Sequence, residues 1–239
     1  KQITKSFGLP QEIQIPDFDF LQRIFNYKPR QTAVKHGQKN SIEIDKLRFA
    51  FQTDLIIQNL NTKFESDKVY AVAGKTGCGK STLANLLLRI YEYEGKITLN
   101  QTDIKNIPIE ELRNQITVCS QFDQVFEGTL QENVLYGLEA DLEKLQLVKE
   151  ICAIDFVELD CQMKKFALGE QQRIVLARAL YRCSNVLILD ETTSAIDDQT
   201  EINIIQQVVN YCKQRGILLI MIAHKKRIFD FVDETVWLD

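Results

Sequence analysis

Two kinds of hydrophobic spacing occur along this chain, and they predict strands in its first part and alternating helices and strands after residue 68. Ile42 and Ile44 alternate with charged residues, and a second alternating stretch covers 47–51, so each stretch is expected to bury one face of a strand. Residues 68–73 then form a short run of strand-favouring residues that ends at a glycine, which predicts another strand.

The region after residue 68 alternates between the two kinds of element. The predicted order is strand (68–73), helix (80–91), strand (95–99), short helix (109–114), strand (115–119), a helix-rich region (129–182), strand (185–190), helix (200–214) and strand (217–222). Such alternation predicts a mainly parallel sheet covered by helices. The helix-rich region interrupts the alternation, so we expect it to form a separate lobe.

The first 40 residues are predicted to be a connector. They contain three of the four prolines of the chain, Pro10, Pro16 and Pro29. Between the last two prolines, one helix-like stretch runs from Asp17 to Tyr27, with Asp17 as a cap and apolar residues at intervals of three and four. We expect the apolar face of this stretch to pack against another surface.

Composition narrows the class of protein. With 45% hydrophobic and 26% charged residues the chain is typical of a globular protein, and its net charge of -4 with scattered Lys and Arg predicts no nucleic-acid partner. The six cysteines include no Cys-x-x-Cys pair, so we expect free thiols in a reducing cytoplasm.

The longest apolar run, 217–223, is far shorter than the roughly 20 residues of a membrane-spanning helix. No signal-peptide pattern follows Lys1, and we expect the sequence to be part of a longer chain.

A glycine-rich segment between the predicted strand 68–73 and the predicted helix 80–91 satisfies the pattern Gly-x-x-x-x-Gly-Lys-Ser. The nucleotide-binding residues predicted here are Gly74, Lys75, Thr76, Gly77, Cys78, Gly79, Lys80, Ser81 and Thr82. Glycines let backbone N–H groups point at phosphate oxygens, Lys80 reaches the β- and γ-phosphates, and Ser81 ligates Mg²⁺. Chance produces the bare pattern in about one of a hundred chains of this size, so an accidental turn is a poor alternative.

The glycine-rich segment alone does not distinguish a small-molecule kinase, a GTPase, a helicase and a transport ATPase. Two acids at the end of the predicted buried strand 185–190 and directly after it add information, because Asp190 and Glu191 are expected at the carboxyl edge of the sheet, beside the loop. Asp190 would hold Mg²⁺, and Glu191 would accept a proton from the water that attacks the γ-phosphate. A helix cap is the alternative for such a pair, and the neighbouring loop favours the metal-and-base interpretation.

Further segments resemble the nucleotide-binding domain of ABC transporters of the exporter type, and the resemblance runs from about Ile42 to the last residue. Residues 113–121 with 126–133 resemble the Q-loop region, 166–173 the signature sequence, 194–197 the D-loop, His224 the switch histidine, and 23–25 with Pro29 the linker after an exporter's last membrane helix. The signature sequence separates this family from other P-loop proteins.

The resemblance implies an α/β fold: a P-loop NTPase (RecA-like) core with a parallel sheet, an antiparallel β subdomain and an inserted helical subdomain. The implied ranges are a linker from a preceding transmembrane domain at 1–40 and an ABC ATPase domain at 41–239, with its core at 41–121 and 176–239 and its helical subdomain at 122–175. The implied function is hydrolysis of ATP with Mg²⁺ that drives export, at the cytoplasmic side of a membrane. The implied partners are a transmembrane domain and a second ABC ATPase domain in a head-to-tail, ATP-dependent dimer.

The resemblance also implies roles for single residues. Gln121 becomes a catalytic residue and Mg²⁺ ligand, and His224 a catalytic residue, although each by itself would suggest only a surface amide or a structural histidine. Ala167, Gly169 and Glu170 are expected to contact the ATP that the partner domain binds, because a helix N-terminus favours phosphate.

Phe51 occupies the position where the family stacks an aromatic ring on adenine. Under strict alternation Phe49 and Phe51 share one face of their strand, so two core phenylalanines are the alternative.

Three departures from the family pattern are visible. Ala167 replaces the usual signature serine and removes a donor to a charged phosphate, a contribution of about 1.5–3 kcal/mol. The region before the signature is short and lacks the usual acidic, glycine-containing segment, and the sequence stops after 235–238, where family members often continue into a hairpin and a helix.

Ala167 keeps a second function open, a weakly hydrolysing nucleotide-gated dimerisation module. Such a module would be the degenerate half of an asymmetric ABC pair or a non-transport ABC ATPase. A small-molecule kinase fits the glycine-rich loop but not the signature-like segment.

Overall fold

The computed structural model describes residues 39–163, 166–222 and 225–238, so residues 1–38 of the predicted connector and His224 lie outside the described residues. The strands are β1 (Ser41–Phe51), β2 (Asp54–Glu65), β3 (Val69–Gly74), β4 (Glu94–Leu99), β5 (Thr102–Asp103), β6 (Ile116–Cys119), β7 (Val186–Asp190), β8 (Leu218–Ile222) and β9 (Glu234–Leu238). The helices are α1 (Lys80–Leu87), α2 (Ile109–Gln115), α3 (Leu130–Leu135), α4 (Leu142–Ile151), α5 (Leu168–Arg182) and α6 (Asp198–Arg215), with 3-10 helices at Ile104–Asn106 and Lys226–Phe231.

The central sheet is parallel, which confirms the fold class. Its strand order is β6-β7-β8-β3-β9, and every neighbouring pair runs parallel. All residues of β7 and β8 are buried, which explains why these strands are continuous apolar runs rather than alternating patterns. Because the strands are parallel, their carboxyl ends meet at one edge of the sheet, where the following loops can gather functional side chains.

A second sheet is antiparallel, with the strand order β2-β1-β4-β5. In β1, Ile42 and Ile44 are buried while Glu43 is exposed, so the predicted alternation is confirmed. The pairing register shifts after Ile44, and Lys46 adopts a φ of 50°. This irregularity returns Leu47 to the buried face and explains why a second alternating stretch begins there.

The hydrophobic pattern does not predict β2 and β9. Only Ile57 and Phe64 of β2 are buried, and most other positions of that strand are exposed. β9 is the edge strand beside β3 and buries only Leu238. A strand that buries few side chains carries little hydrophobic periodicity, so neither strand stands out in the sequence.

The inserted helical region lies between β6 and β7, as predicted. α3, α4 and α5 contact one another, and α5 also contacts β6, so this helix joins the lobe to the sheet. The limit predicted at 175/176 falls inside α5, a continuous helix of 15 residues. The subdomain ranges therefore stay a prediction.

Two predicted helices differ from the structure at their ends. α1 ends at Leu87 rather than at residue 91, because Arg89 adopts a φ of 52°, outside the helical region. α6 begins at Asp198, where the carboxylate of Asp197 accepts the N–H of Thr200, and it ends at Arg215, because the next residue, Gly216, has a φ of 65°. None of the helices in the described ranges is long and apolar enough to cross a lipid bilayer.

Candidate active site

The glycine-rich loop connects β3 to α1 and lies between β9 of the parallel sheet and β2 of the antiparallel sheet. Gly74 has a φ of 150°, and an added Cβ would clash with the carbonyl oxygen of Leu238 in β9. At Gly79, with a φ of 98°, an added Cβ would lie 2.7 Å from Cγ2 of Ile56 in β2. Glycine is therefore required at both positions by backbone conformation and by space.

Lys80 is a buried cation inside this loop, with a relative exposure of 6%. Its ammonium donates hydrogen bonds to the carbonyl oxygens of Gly74 (3.1 Å) and Lys75 (2.9 Å). Both oxygens are neutral acceptors, so they orient the ammonium without neutralising its charge. A buried positive charge surrounded by backbone amides is suited to a phosphate anion.

The remaining predicted residues of the loop surround Lys80. Lys75, Thr76, Gly77 and Ser81 are exposed, and Cys78 and Thr82 are half-buried. Ser81 lies in the first turn of α1, where its exposed hydroxyl is available as an oxygen ligand, the kind that Mg²⁺ prefers.

The acidic pair follows β7 at the same edge of the sheet as the loop. Asp190 and Val72 both pair with Ile222, from opposite sides of β8. With neighbouring strands about 4.8 Å apart, the Cα atoms of Asp190 and Val72 are roughly 10 Å apart. This register brings a buried carboxylate level with the end of the strand that carries the glycine-rich loop.

Glu191 has a strained backbone. Its φ is 53°, in the left-handed region that non-glycine residues rarely adopt, and its N–H donates to the carbonyl oxygen of Ile222 (3.1 Å). Strain of this kind costs on the order of 1–3 kcal/mol and is concentrated at functional sites. The half-buried Glu191 therefore turns sharply away from β7 instead of continuing it.

Gln121 follows β6, which lies beside β7 in the sheet, and its side chain is exposed. The segment after it is held by Arg178 of α5, which donates to the carbonyl oxygens of Gln124 (3.0 Å) and Asn133 (2.8 Å). Burial lowers the pKa of Arg178. Below this segment, burial raises the pKa of the Cys119 thiol at the end of β6.

The signature-like segment forms the start of α5. The N–H of Ala167 donates to the carboxylate of Glu170 (2.8 Å), so the acidic side chain caps its own helix. Leu168 projects from the first turn with 63% of its surface exposed. At Gly169, an added Cβ would lie 2.6 Å from the carbonyl oxygen of Ala195, so the close packing of α5 against this backbone requires glycine here.

Gln172 joins α5 to the segment 194–195, and sequence reasoning missed this contact. Its amide donates to the hydroxyl of Ser194 (3.0 Å) and accepts the N–H of Ala195 (2.8 Å). The signature-like segment and the loop after Glu191 are therefore linked by two hydrogen bonds from a single side chain. A glutamine inside a polar helix carries no sequence signal for such a contact.

Phe51 lies at the end of β1, with 42% of its surface exposed, while Phe49 is buried. The Phe51 ring packs edge-on against Phe49 (centroids 4.7 Å apart) and against Tyr91 (5.2 Å). Strict alternation therefore does not bury both phenylalanines. The exposed ring of Phe51 leaves the stacking role open as a prediction.

A parallel sheet with this loop between β3 and α1, and an acidic pair at the same edge, defines a P-loop nucleotide-binding domain. Residues 57–194, more than half of the chain, match the ABC transporter family. The chain therefore belongs to the ABC transporter family.

Curated relatives and a solved structure agree with this family. The chain is 34% identical over 210 residues to an ATP-dependent lipid A-core flippase of Desulfotalea psychrophila (strain LSv54 / DSM 12343), covering 83% of this chain and 36% of the relative. It is 34% identical over 227 residues to the flippase of the same name from Hahella chejuensis (strain KCTC 2396), covering 89% and 38%. A bacterial Atm1-family ABC exporter with ATP bound matches with a TM-score of 0.78 and 25% identity, over 92% of this chain and 41% of that chain. The chain spans little more than a third of the length of these two flippases.

Proposed function

We propose that this chain binds and hydrolyses ATP and thereby drives export, as the nucleotide-binding domain of an ABC transporter at the cytoplasmic side of a membrane. The observation that supports hydrolysis most directly is the register through Ile222, which brings Asp190 level with the end of β3. A phosphate-binding loop and an acidic pair at one edge are the parts that phosphoryl transfer to water requires.

The triphosphate is bound by the backbone N–H groups of Gly74 to Ser81 and by the Lys80 ammonium, which exchanges its carbonyl partners for β- and γ-phosphate oxygens. Phe51 supplies a ring face for adenine. Mg²⁺, held by Ser81, Gln121 and Asp190, would neutralise charge on the phosphates. The exposed hydroxyl of Ser81 and the carboxylate of Asp190 are oxygen ligands, so their chemistry fits this ion.

Glu191 accepts the proton of the attacking water, and the left-handed backbone at this residue turns its side chain out of line with β7. Attack on the γ-phosphate forms the new O–P bond and breaks the bond to ADP, which leaves with inorganic phosphate. His224 is proposed to orient the water and the phosphate.

The partners belong to the same proposal. A transmembrane domain would receive the motion of this domain, since the relatives that it matches are membrane exporters. A second ABC ATPase domain would bind head to tail, with Ala167 and Gly169 of each domain facing the ATP of the other.

The test replaces Glu191 with Gln, which keeps the shape and removes the base. ATP affinity should stay within about twofold of wild type, while Mg²⁺-dependent release of phosphate falls by about 10²–10⁴-fold. Equal phosphate release by both proteins would remove Glu191 from this role. Wild-type release that does not depend on Mg²⁺ would contradict the metal assignment.

One observation favours the second candidate, a weakly hydrolysing half of an asymmetric pair. The Glu170 carboxylate occupies the N–H of Ala167 and adds negative charge where a partner's γ-phosphate would approach. Ala167→Ser and Glu170→Gln should each raise phosphate release if this end of α5 limits turnover. Brisk wild-type release that neither change increases would count against the asymmetric pair.

A further inference from the structure

Glu201 of α6 is a buried carboxylate with a relative exposure of 1%. Lys225 donates to both of its oxygens at 3.0 Å, and Nε of Arg227 donates to one of them at 2.6 Å. Arg227 also contacts Asp198 in the first turn of α6. A carboxylate so deeply buried is stable only because these cations compensate its charge.

One of these cations, Lys225, connects α6 to two segments of the proposed active site. Lys225 also donates to the backbone carbonyl of Thr193 (3.3 Å), two residues after Glu191. In the sequence, Lys225 directly follows His224. Glu201 therefore anchors the side chain of Lys225, which holds the loop after Glu191. Lys225 is also the first residue of the segment after His224.

Glu191 and Glu201 also line one cavity of about 70 Å³ behind the carboxyl ends of β7 and β8. Lys225 and Thr193 line it with them, and Met221 and Ile205 form part of its apolar wall. Because Lys225 and Glu191 line the same small cavity, a displacement of Lys225 should change the position of the loop that carries Glu191.

We infer that Glu201 is a positioning residue for ATP hydrolysis: through Lys225 it holds the loop that carries Glu191 and the start of the segment after His224. This inference rests on the proposed function. Within the described ranges, Glu201 forms no hydrogen bond or ion pair with the nucleotide-binding loop or with Lys80, so its loss should change the rate of the chemical step and leave ATP binding intact.

The test uses Glu201→Gln in the full chain, which keeps the shape and removes the charge. We expect kcat to fall at least tenfold while the Kd of ATP changes less than twofold and the protein stays folded by circular dichroism. Glu201→Asp, which keeps the charge, should recover part of the loss.

The matched control is Asp233→Asn. Like Glu201, Asp233 pairs with a lysine, Lys213 (3.3 Å), and it also accepts the backbone N–H of Val69 (2.7 Å), but it lies at the amino end of β3, away from the proposed site. Its kcat should stay within twofold of wild type. An equal loss of kcat in both variants would reduce Glu201 to a general structural role and overturn the inference.

A second variant covers the case in which Glu201→Gln does not fold. Lys225→Gln removes the bond to Thr193 but leaves Arg227 on Glu201, and the partly exposed Lys225 side chain makes a folded variant the expected outcome. A folded Lys225→Gln protein with wild-type kcat would overturn the inference. Glu191→Gln serves as the reference: wild-type turnover no higher than that reference would overturn the proposed function, whereas higher wild-type turnover that neither Glu201→Gln nor Lys225→Gln lowers would overturn only the positioning role.

Discussion

Gly169 lies directly against Ala195, so that a Cβ added to Gly169 would meet the carbonyl oxygen of Ala195 at 2.6 Å. Three positions further along α5, Gln172 bonds to the same backbone and to Ser194. The start of α5 and the loop after Glu191 are therefore in direct contact. A change at either segment should reach the other without any contact to nucleotide.

We expect Gly169→Ala to lower both stability and turnover. Overpacking of this kind costs about 1–3 kcal/mol, and relief of the clash would pull the Ala195 backbone from Gln172. The control is Gly137→Ala, where the φ of 81° disfavours alanine but no atom lies within 4 Å of the added Cβ. Urea unfolding and phosphate release should separate the two, with turnover lost only in Gly169→Ala. Equal turnover in both variants would contradict the proposed coupling.

Lys80→Met should weaken ATP binding without destabilising the fold. The variant loses a charge-assisted bond to phosphate, which corresponds to roughly 10- to 100-fold in Kd. It also removes a buried charge, so the free energy of unfolding should stay the same or rise. Lys96→Met, at an exposed position of β4, is the control and should bind ATP as wild type does. Titration calorimetry measures the Kd of ATP for both variants. A wild-type Kd in Lys80→Met would argue against a bond between Lys80 and the phosphates.

Phe51→Ala tests adenine stacking. Loss of one stacked ring should raise the Kd of ATP by about 10- to 100-fold and leave the Kd of inorganic triphosphate unchanged, because only ATP carries a base. Leu55→Ala is the control, since Leu55 and Phe51 are both 42% exposed. Equal losses for ATP and triphosphate in Phe51→Ala would instead indicate damage to the fold of the site.

Buried thiols should make the fold sensitive to alkaline pH. Burial raises the pKa of Cys183 to about 12 and also raises the pKa of Cys119, Cys152 and Cys212. The unfolded chain releases these thiol protons at about pH 8.5, whereas the folded chain retains them. The free energy of unfolding is therefore highest below that pH and decreases as the pH rises above it. The expected loss is about 1.4 kcal/mol per thiol and pH unit, up to the folded pKa.

Urea unfolding in reducing buffer between about pH 8 and pH 10 measures this slope. Cys183→Ala removes one titrating group and should make the slope shallower, whereas Cys161→Ala, at an exposed position, should leave it unchanged. A free energy of unfolding that is constant over this range would contradict the prediction.

Much of the fold could be predicted from the sequence because its signals are local. The buried strands β7 and β8 are continuous apolar runs, and β1 alternates until Lys46 interrupts it. β2 and β9 cannot be predicted from the hydrophobic pattern, because each strand buries few side chains and is held in its sheet by backbone pairing with a neighbouring strand. The pattern predicts that α1 continues past its observed end, because nothing about an arginine indicates the positive φ that Arg89 adopts.

The candidate site divides in the same way. The glycine-rich loop from Gly74 to Ser81 and the acidic pair Asp190 and Glu191 can be predicted from the sequence alone, because adjacent residues carry that chemistry and short motifs specify it. The bonds of Gln172 to Ala195 and of Glu201 to Lys225 are visible only in the folded structure, since these partners lie 23 and 24 residues apart. Their bonds depend on how α5, α6 and the end of β8 pack, and no spacing along the chain encodes that packing.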